Sequence, residues 1–268
     1  MNMNLDYVLL NPTGNMTILV ETPVPAASQP FCAAALLAAE PTAEQVGFLS
    51  PGRTVCDTAL RMAGGEFCGN AAMSAAALFC EKTGRRGIVR VRVSGVVDPV
   101  EVEVTPAPDG GFACTVEMPP VLGIETVSLR FGGRELRLPL VRCEGISHLI
   151  VTQPMERDFA EGAIKCWCAE LGADGLGLLL LDEAAKALTP LVYVPCGDTL
   201  YWEHSCVSGT AAVGAYLAET ALKSVSAFFA EPGGNLGVTA LPGGRTSLRG
   251  SVRIVRRGSL SLELDTAP

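Results

Sequence analysis

Two cysteines, one in each half of the chain, stand in similar sequence surroundings. Cys68 precedes Gly69-Asn70 and an alanine-rich run, and Cys206 precedes Val207-Ser208 and a second such run. Alanine favours the helix, so each cysteine is predicted to lie at or just before a helix N-terminus. The amide N–H groups and the dipole of a helix start stabilise an anion, which could be a thiolate or a substrate carboxylate.

The pairing of the two cysteines indicates a particular reaction. One cysteine at a helix start is weak support, because most unpaired cysteines are small core residues. Two of them predict facing thiols with one bound anion between them. A thiolate could then remove an α-proton on one face while a thiol returns a proton on the other, and the carbon is inverted. Helix N-termini aimed at the substrate carboxylate would stabilise the carbanion. We therefore expect a racemase or epimerase.

Three further polar residues are candidates for the site, each with a structural alternative. Asn15 is either a turn residue or an amide that reaches the site. His148 is either a structural group or one that sets a cysteine's protonation state. Glu203 stands three residues before Cys206 and is either a solvated strand end or a partner of the thiol or the substrate ammonium.

Composition excludes several classes of protein. The chain has 268 residues, of which 49% are hydrophobic and 18% charged, and its net charge of −8 disfavours a nucleic-acid partner. The first ten residues lack the layout of a signal peptide, and the apolar runs are too short to span a bilayer, so we expect a cytoplasmic protein with no membrane partner. No dinucleotide-binding loop or Schiff-base lysine is recognisable, and we expect no cofactor.

The ten cysteines do not form a metal-binding pattern. There is no Cys-x-x-Cys pair, and the sequence has only two histidines. The spacing in Cys166-Trp167-Cys168 does not suit a usual zinc site. We expect no metal, reduced thiols, and chemistry only at Cys68 and Cys206.

The chain is predicted to fold as α+β in two similar halves, residues 1–122 and 123–268. Each half shows several strands, an outer helix, a cysteine-headed helix and a strand meander. Pro119–Thr126 is predicted to be a boundary segment and Glu144–His148 a loop. The predicted helices are Ser28–Glu40, 69–82, Phe159–Leu171 and 208–221, and the last two predicted strands are Thr246–Arg253 and Ser259–Leu264.

At these positions the chain resembles the diaminopimelate-epimerase-like family of cofactor-independent racemases and epimerases. Cys68-Gly69-Asn70 is similar to the family's first cysteine motif. Cys206-Val207-Ser208-Gly209 is similar to its second, with Val207 in place of a glycine. Gly14-Asn15, Gly145–His148 and Glu203 resemble weaker family motifs.

The resemblance implies two halves, each a β-barrel-like sheet around a central helix, with the active site in the cleft between them. It implies that a strand at about residues 258–268 returns to the first half, and it alone implies a homodimer. The catalytic residues implied are Cys68 and Cys206, and the substrate-binding residues are Asn15, Gly69, Asn70, His148, Glu203, Val207 and Ser208.

Departures from the family pattern bear on the substrate. His204 stands where diaminopimelate epimerase has an arginine for the distal carboxylate, and Ile146 replaces an asparagine. The segment from Met62 to Phe67 is similar to that of the histidine racemases of opine-metallophore biosynthesis, a branch of this family. The substrate we expect is therefore histidine, converted from the L- to the D-form. A change of His204 to arginine would then alter the substrate profile.

Four alternatives remain open on the sequence. The first is racemisation or epimerisation of diaminopimelate or another amino acid. The second is an isomerase of the phenazine-biosynthesis type, which retention of both cysteines disfavours. The third is a cysteine-rich metal or redox protein, which lacks clustered ligands here. The fourth is that both cysteines are inert core residues.

Overall fold

The computed structural model describes residues 2–52 and 55–263. The helices are α1 Gln29–Ala39, α2 Gly69–Thr83, α3 Arg157–Leu171 and α4 Val207–Ala221. The strands are β1 Asn2–Pro12, β2 Thr17–Val20, β3 Gln45–Pro51, β4 Thr58–Met62, β5 Gly87–Val93, β6 Val100–Pro106, β7 Phe112–Glu117, β8 Val121–Phe131, β9 Arg134–Cys143, β10 Ser147–Val151, β11 Leu176–Asp182, β12 Ala187–Val194, β13 Thr199–Trp202, β14 Val225–Glu231, β15 Gly234–Ala240 and β16 Thr246–Glu263. In this described part of the chain, no helix has the length and apolar character that crossing a bilayer requires.

The first half is a closed barrel around a helix. Strands β1 to β7 pair in sequence order, β7 pairs with β16, and β16 returns to β1 to close the ring of eight. Helix α2 runs through this barrel, and residues 69–78 are all buried. The inside of a small barrel has room only for small side chains around a helix, which explains the run of alanines. A glycine after a helical run predicts a C-terminal cap, and Gly84 ends this helix with φ +72°.

The second half continues the same sheet. From β16 the strand order runs β15, β14, β12, β11, β10, β9 and β8, and β13 pairs with β12. Helix α4 packs on β14, β15 and β16, and its first nine residues are all buried, eight of them small residues or valines and one a threonine. Helix α3 covers the other face, where Trp167 is fully buried and donates from its indole to the Arg130 carbonyl. The predicted α+β class is confirmed.

Strand β16 belongs to both halves, and its end runs beside β1, in the region where the family resemblance implies a strand that returns to the first half. It pairs with β15 through residues 246–249, with β7 through 247–252 and with β1 through 252–263. The sequence predicts two separate strands, Thr246–Arg253 and Ser259–Leu264. This prediction is wrong for the described residues, because one continuous strand runs from Thr246 to Glu263. Gly258 is not a turn residue. It lies opposite Tyr7, and a Cβ added to it would come 2.6 Å from the Tyr7 hydroxyl.

Three other expectations need correction. Strand β8 begins at Val121, inside the expected boundary segment, because it pairs with β9 along almost its whole length. His148 lies in strand β10 beside Gly177, not in a loop. Strand β13 was not predicted. The proposed division at residue 122 stays a prediction. The sequence also predicts a strand over Thr54–Met62; its first residue, Thr54, and Leu264 of the last predicted strand lie outside the described residues.

The two halves meet at a pair of glycines. Gly95, after β5, and Gly145, before β10, both have positive φ, at +79° and +72°. A Cβ on Gly145 would lie 2.7 Å from the Gly95 oxygen and 2.9 Å from the Phe67 amide nitrogen, next to Cys68. Side chains at these positions would push the halves apart beside the first cysteine.

Replacing Gly145 with alanine tests this contact. Gly110 is a matched control, because its φ is +84° and nothing lies within 4 Å of an added Cβ. Gly110→Ala should lower the free energy of unfolding by about 1 kcal/mol through backbone strain alone. Gly145→Ala should lower it by roughly 3 kcal/mol, since overpacking adds to the strain. Equal losses in urea unfolding would contradict the close approach.

Candidate active site

The two cysteines occupy matching positions at the starts of α2 and α4. Cys68 is the N-cap of α2 with φ −133° and ψ 111°, and its Sγ accepts a hydrogen bond from the Ala71 amide at 3.4 Å. Cys206 is the N-cap of α4 with φ −132° and ψ 100°, and its Sγ accepts from the Gly209 amide at 3.4 Å. The predicted helix starts are confirmed. The side chains are only 9% and 3% exposed.

The two helix starts are in direct contact. Asn70 Oδ1 accepts a hydrogen bond from the Val207 amide at 2.9 Å, and Asn70 Nδ2 donates to Ser205 Oγ at 3.1 Å. Gly69 faces the Val207 side chain, and a Cβ on Gly69 would lie 2.4 Å from Val207 Cγ1. The glycine at 69 therefore makes room for the valine at 207, and the Val207 amide is directed at Asn70.

A single cavity of about 150 Å³ is bordered by both cysteines. Its walls come from both halves of the chain. One wall is apolar and is formed by Pro30, Ala33, Ala34 and Leu37 of α1, with Val192 and Val194 of β12 opposite. The carboxyl groups of Glu44, Glu66 and Glu203 also line this cavity. Among the described residues, no lysine, arginine or histidine lines this cavity.

Cys68 is connected to the second half by a chain of amides. Its thiol donates to Gln45 Oε1 at 2.9 Å, and Gln45 Nε2 donates to Asn15 Oδ1 at 2.6 Å. Asn15 Nδ2 then donates to the Ser205 carbonyl at 2.9 Å. Asn15 is fully buried and does not line the cavity. Asn15 therefore lies outside the cavity and positions Gln45, which lines it, through this hydrogen bond.

Cys206 lies among carboxyl groups. Burial and the neighbouring Glu203 raise the pKa of its thiol, and its Sγ lies 3.5 Å from Ser208 Oγ. Its amide donates to Glu231 Oε2 at 2.7 Å, and the other Glu231 oxygen accepts from Thr210 Oγ1. The neighbours of the two thiols therefore differ: the Cys68 thiol has a neutral amide and the Cys206 thiol a carboxyl group.

Burial sets the protonation of this site. It raises the pKa of both thiols well above the ordinary value, and the charge of Glu203 raises the pKa of each further. The bond from the Ala71 amide lowers the pKa of Cys68, as expected of a helix start, but burial outweighs it. Burial also raises the pKa of Glu203 to about 8, with a further contribution from the charge of Glu44. These surroundings favour two thiols over a thiolate.

His148 is not brought to the cavity. It is 0% exposed, its ring lies against Gly177, and neither ring nitrogen has a hydrogen-bond partner among the described residues. Burial lowers its pKa to about 3, so the imidazole is neutral. Ile146 of the same segment does line the cavity. His204 also lies outside it, with an exposed side chain.

Of the other predicted site residues, Asn70, Glu203 and Ser208 line the cavity, and Gly69 and Val207 form the contact behind it. Sequence reasoning missed Glu44, Gln45, Glu66 and Glu231. Glu66 had a signal, because it stands two residues before Cys68. Glu231 had one too, as an acidic residue that ends an apolar strand. No three His, Cys, Asp or Glu side chains among the described residues group as a metal site requires.

Comparisons with known proteins agree on the class of protein. A histidine racemase from Fusobacterium nucleatum (strain ATCC 23726) is 32% identical over 227 residues, covering 80% of this chain and 81% of its own. A histidine racemase from Staphylococcus aureus (strain Mu50) is 29% identical over an alignment of 277 positions, covering 97% and 98%. The crystal structure of a hydroxyproline epimerase from Agrobacterium vitis superposes with a TM-score of 0.71 at 13% identity, covering 98% of this chain and 94% of the other.

The superposition shows a shared fold, and the relatives of similar sequence place the protein among the isomerases, as an amino-acid racemase. Residues 4–260 match the histidine racemase CntK N-terminal domain, and the chain belongs to that family.

Replacing Asn70 tests what holds the two helix starts together. Asn70→Ala leaves the buried Val207 amide without its acceptor and removes the donor to Ser205 Oγ, which keeps its own bond to the Pro12 carbonyl. We expect a loss of about 3 kcal/mol in the free energy of unfolding. Asn4 is the matched control, because its amide is exposed and bonds only to neighbouring surface groups. Asn4→Ala should stay within about 0.5 kcal/mol of the wild type. Similar losses in both variants would contradict the role of Asn70.

Proposed function

We propose that this protein interconverts L- and D-histidine by proton transfer through Cys68 and Cys206. The observation that carries the proposal is the cavity that both cysteines border, one at each of two touching helix starts. In one direction one sulfur removes the α-proton and the other donates a proton to the opposite face of the carbon. In the other direction the two sulfurs exchange roles.

The substrate carboxylate is proposed to lie between the helix starts. Asn70 and Ser208 are the second residues of α2 and α4 and both line the cavity, so their amides lie where the helix dipoles favour an anion. As the α-proton leaves, negative charge moves toward this carboxylate, and the oriented amides stabilise it. The apolar wall from α1 excludes water, which strengthens these interactions.

The charge of the cavity supports a cationic substrate. Three carboxyl groups line it without a cationic side chain among the described lining residues. A substrate ammonium or imidazolium would compensate their charge, and its positive field would lower the pKa of a nearby thiol. Diaminopimelate carries a second carboxylate, which this lining would repel. The curated relatives are histidine racemases, which supports histidine among the basic amino acids.

Cysteine variants test the mechanism. Cys68→Ser and Cys206→Ser should each reduce racemisation by roughly 10³-fold or more, because a serine hydroxyl cannot replace the acid–base function of a thiol. Cys80→Ser is the control, since Cys80 is also buried on α2 but does not line the cavity, and it should keep nearly full activity. Polarimetry of histidine with each folded variant gives the rates. Full activity in either active-site variant would refute the mechanism.

The substrate can be identified by proton exchange. The protein, with its thiols reduced, is incubated in D₂O with single L-amino acids, and the α-proton is followed by NMR. L-Histidine should lose its α-proton signal while D-histidine appears on a chiral column, and meso-diaminopimelate should be unchanged. Exchange of diaminopimelate without exchange of histidine would refute the substrate assignment and leave the thiol chemistry standing.

A further inference from the structure

One contact joins an exposed histidine to a carboxyl group inside the cavity. His204 is 59% exposed at its side chain and does not line the cavity. Its backbone amide donates to Glu44 Oε2 at 3.1 Å, and its Nδ1 lies 2.5 Å from Glu44 Oε1. Both oxygens of one carboxylate are therefore held by one residue. Because a carboxylate only accepts, this geometry places a proton on Nδ1.

Glu44 is on the inner side of this contact. It is only 9% exposed, it lines the cavity, and its own amide is fixed by a bond to the Met16 carbonyl at 2.8 Å. Burial raises its pKa, and the bonds from His204 oppose that rise. Without the imidazole, Glu44 would lose a charge-assisted hydrogen bond and a fixed direction.

We infer that His204 is a positioning residue that binds the outer side of Glu44, so that the Glu44 carboxylate stays charged and aimed at a protonated nitrogen of the substrate. The inference rests on the proposed function, because it requires a cationic substrate in the cavity.

The contact between His204 and Glu44 joins the two halves of the chain. His204 follows Glu203 and precedes Ser205-Cys206, so it belongs to the second half, whereas Glu44 precedes β3 in the first. The bond therefore crosses between the halves at the edge of the cavity. A cationic side chain at this position that faced the cavity would attract an anionic group. In this protein the His204 side chain lies outside the cavity and binds the Glu44 carboxylate. The cavity therefore favours a cationic group of the substrate, whereas a cationic side chain inside it would favour an anionic group.

A double-mutant cycle tests the inference. The variants are His204→Ala, Glu44→Gln and the double variant, with His204→Asn as the conservative change. An asparagine Nδ2 can take the place of the histidine Nδ1 as a donor to Glu44. The quantities measured are kcat and KM for histidine racemisation and the free energy of unfolding.

His204→Ala should raise KM roughly tenfold, the loss expected for one charge-assisted hydrogen bond, with kcat changed less than about threefold. His204→Asn should keep KM close to the wild-type value. Glu44→Gln should raise KM at least as much as His204→Ala, and the double variant should be no worse than Glu44→Gln. A residue that acts through another adds nothing once the other is gone.

Three results would overturn the inference. They are an unchanged KM in His204→Ala, effects that multiply in the double variant, or a loss of unfolding free energy in His204→Ala without a change in KM. If the wild type racemises histidine and one of these occurs, only the inference fails. If the wild type does not racemise histidine at all, the proposed function fails and the inference falls with it.

A spectroscopic readout does not depend on turnover. The chain has two histidines, so ¹⁵N NMR shows two imidazole rings, and the signals lost in His204→Asn belong to His204. We expect the Nδ1-protonated form of His204 in the wild type and a changed Nδ1 signal in Glu44→Gln. An identical signal in both proteins would show that Glu44 does not hold the ring.

Discussion

The proposed chemistry of this protein depends on the contact between two helix starts. Cys68 and Cys206 are 138 positions apart, and they border one cavity because Asn70 of one helix accepts the first amide of the other. The contact permits no side chain on the first residue of α2, and position 69 is a glycine. A helix start normally offers its amides to solvent or to a ligand. Here one amide instead joins the two helix starts, each of which is capped by one of the cysteines.

Burial of the two cysteines and their neighbouring carboxyl groups raises the pKa values of these groups. Thiols and carboxyl groups are buried together, so their pKa values rise, and both thiols keep their protons until a positive charge approaches. In the proposed reaction a weakly acidic α-proton needs a strong base, and a thiol of raised pKa becomes a strong base once it loses its proton. Under the same proposal, the positive charge of the substrate arrives among the carboxyl groups and favours formation of the thiolate.

Local sequence features predicted the helices well, and long-range pairing escaped them. Alanine runs and the glycine after Thr83 placed α2 and α4 within about two residues, since helix formation is local. The sequence predicts two strands where the structure has the single strand β16, because Gly258 looks like a turn residue. A glycine is needed there because the Tyr7 ring on the neighbouring strand leaves no room for a side chain. In the site, the cysteines were visible from their helix context. Glu44 and Gln45 were not, because only tertiary packing brings the start of β3 to the cavity.

The strand shared by the two halves has a consequence for how the chain is made. Leu5 pairs with Leu260, so the barrel around α2 cannot close until the last strand has been synthesised. Until then β1 and β7 are open edges, which can pair with other chains, and the apolar α2 lacks part of its cover. The many distant pairings also slow folding, since the loops must close before the contacts form. Translation therefore leaves an interval in which nearly all of the sequence exists and the first barrel does not.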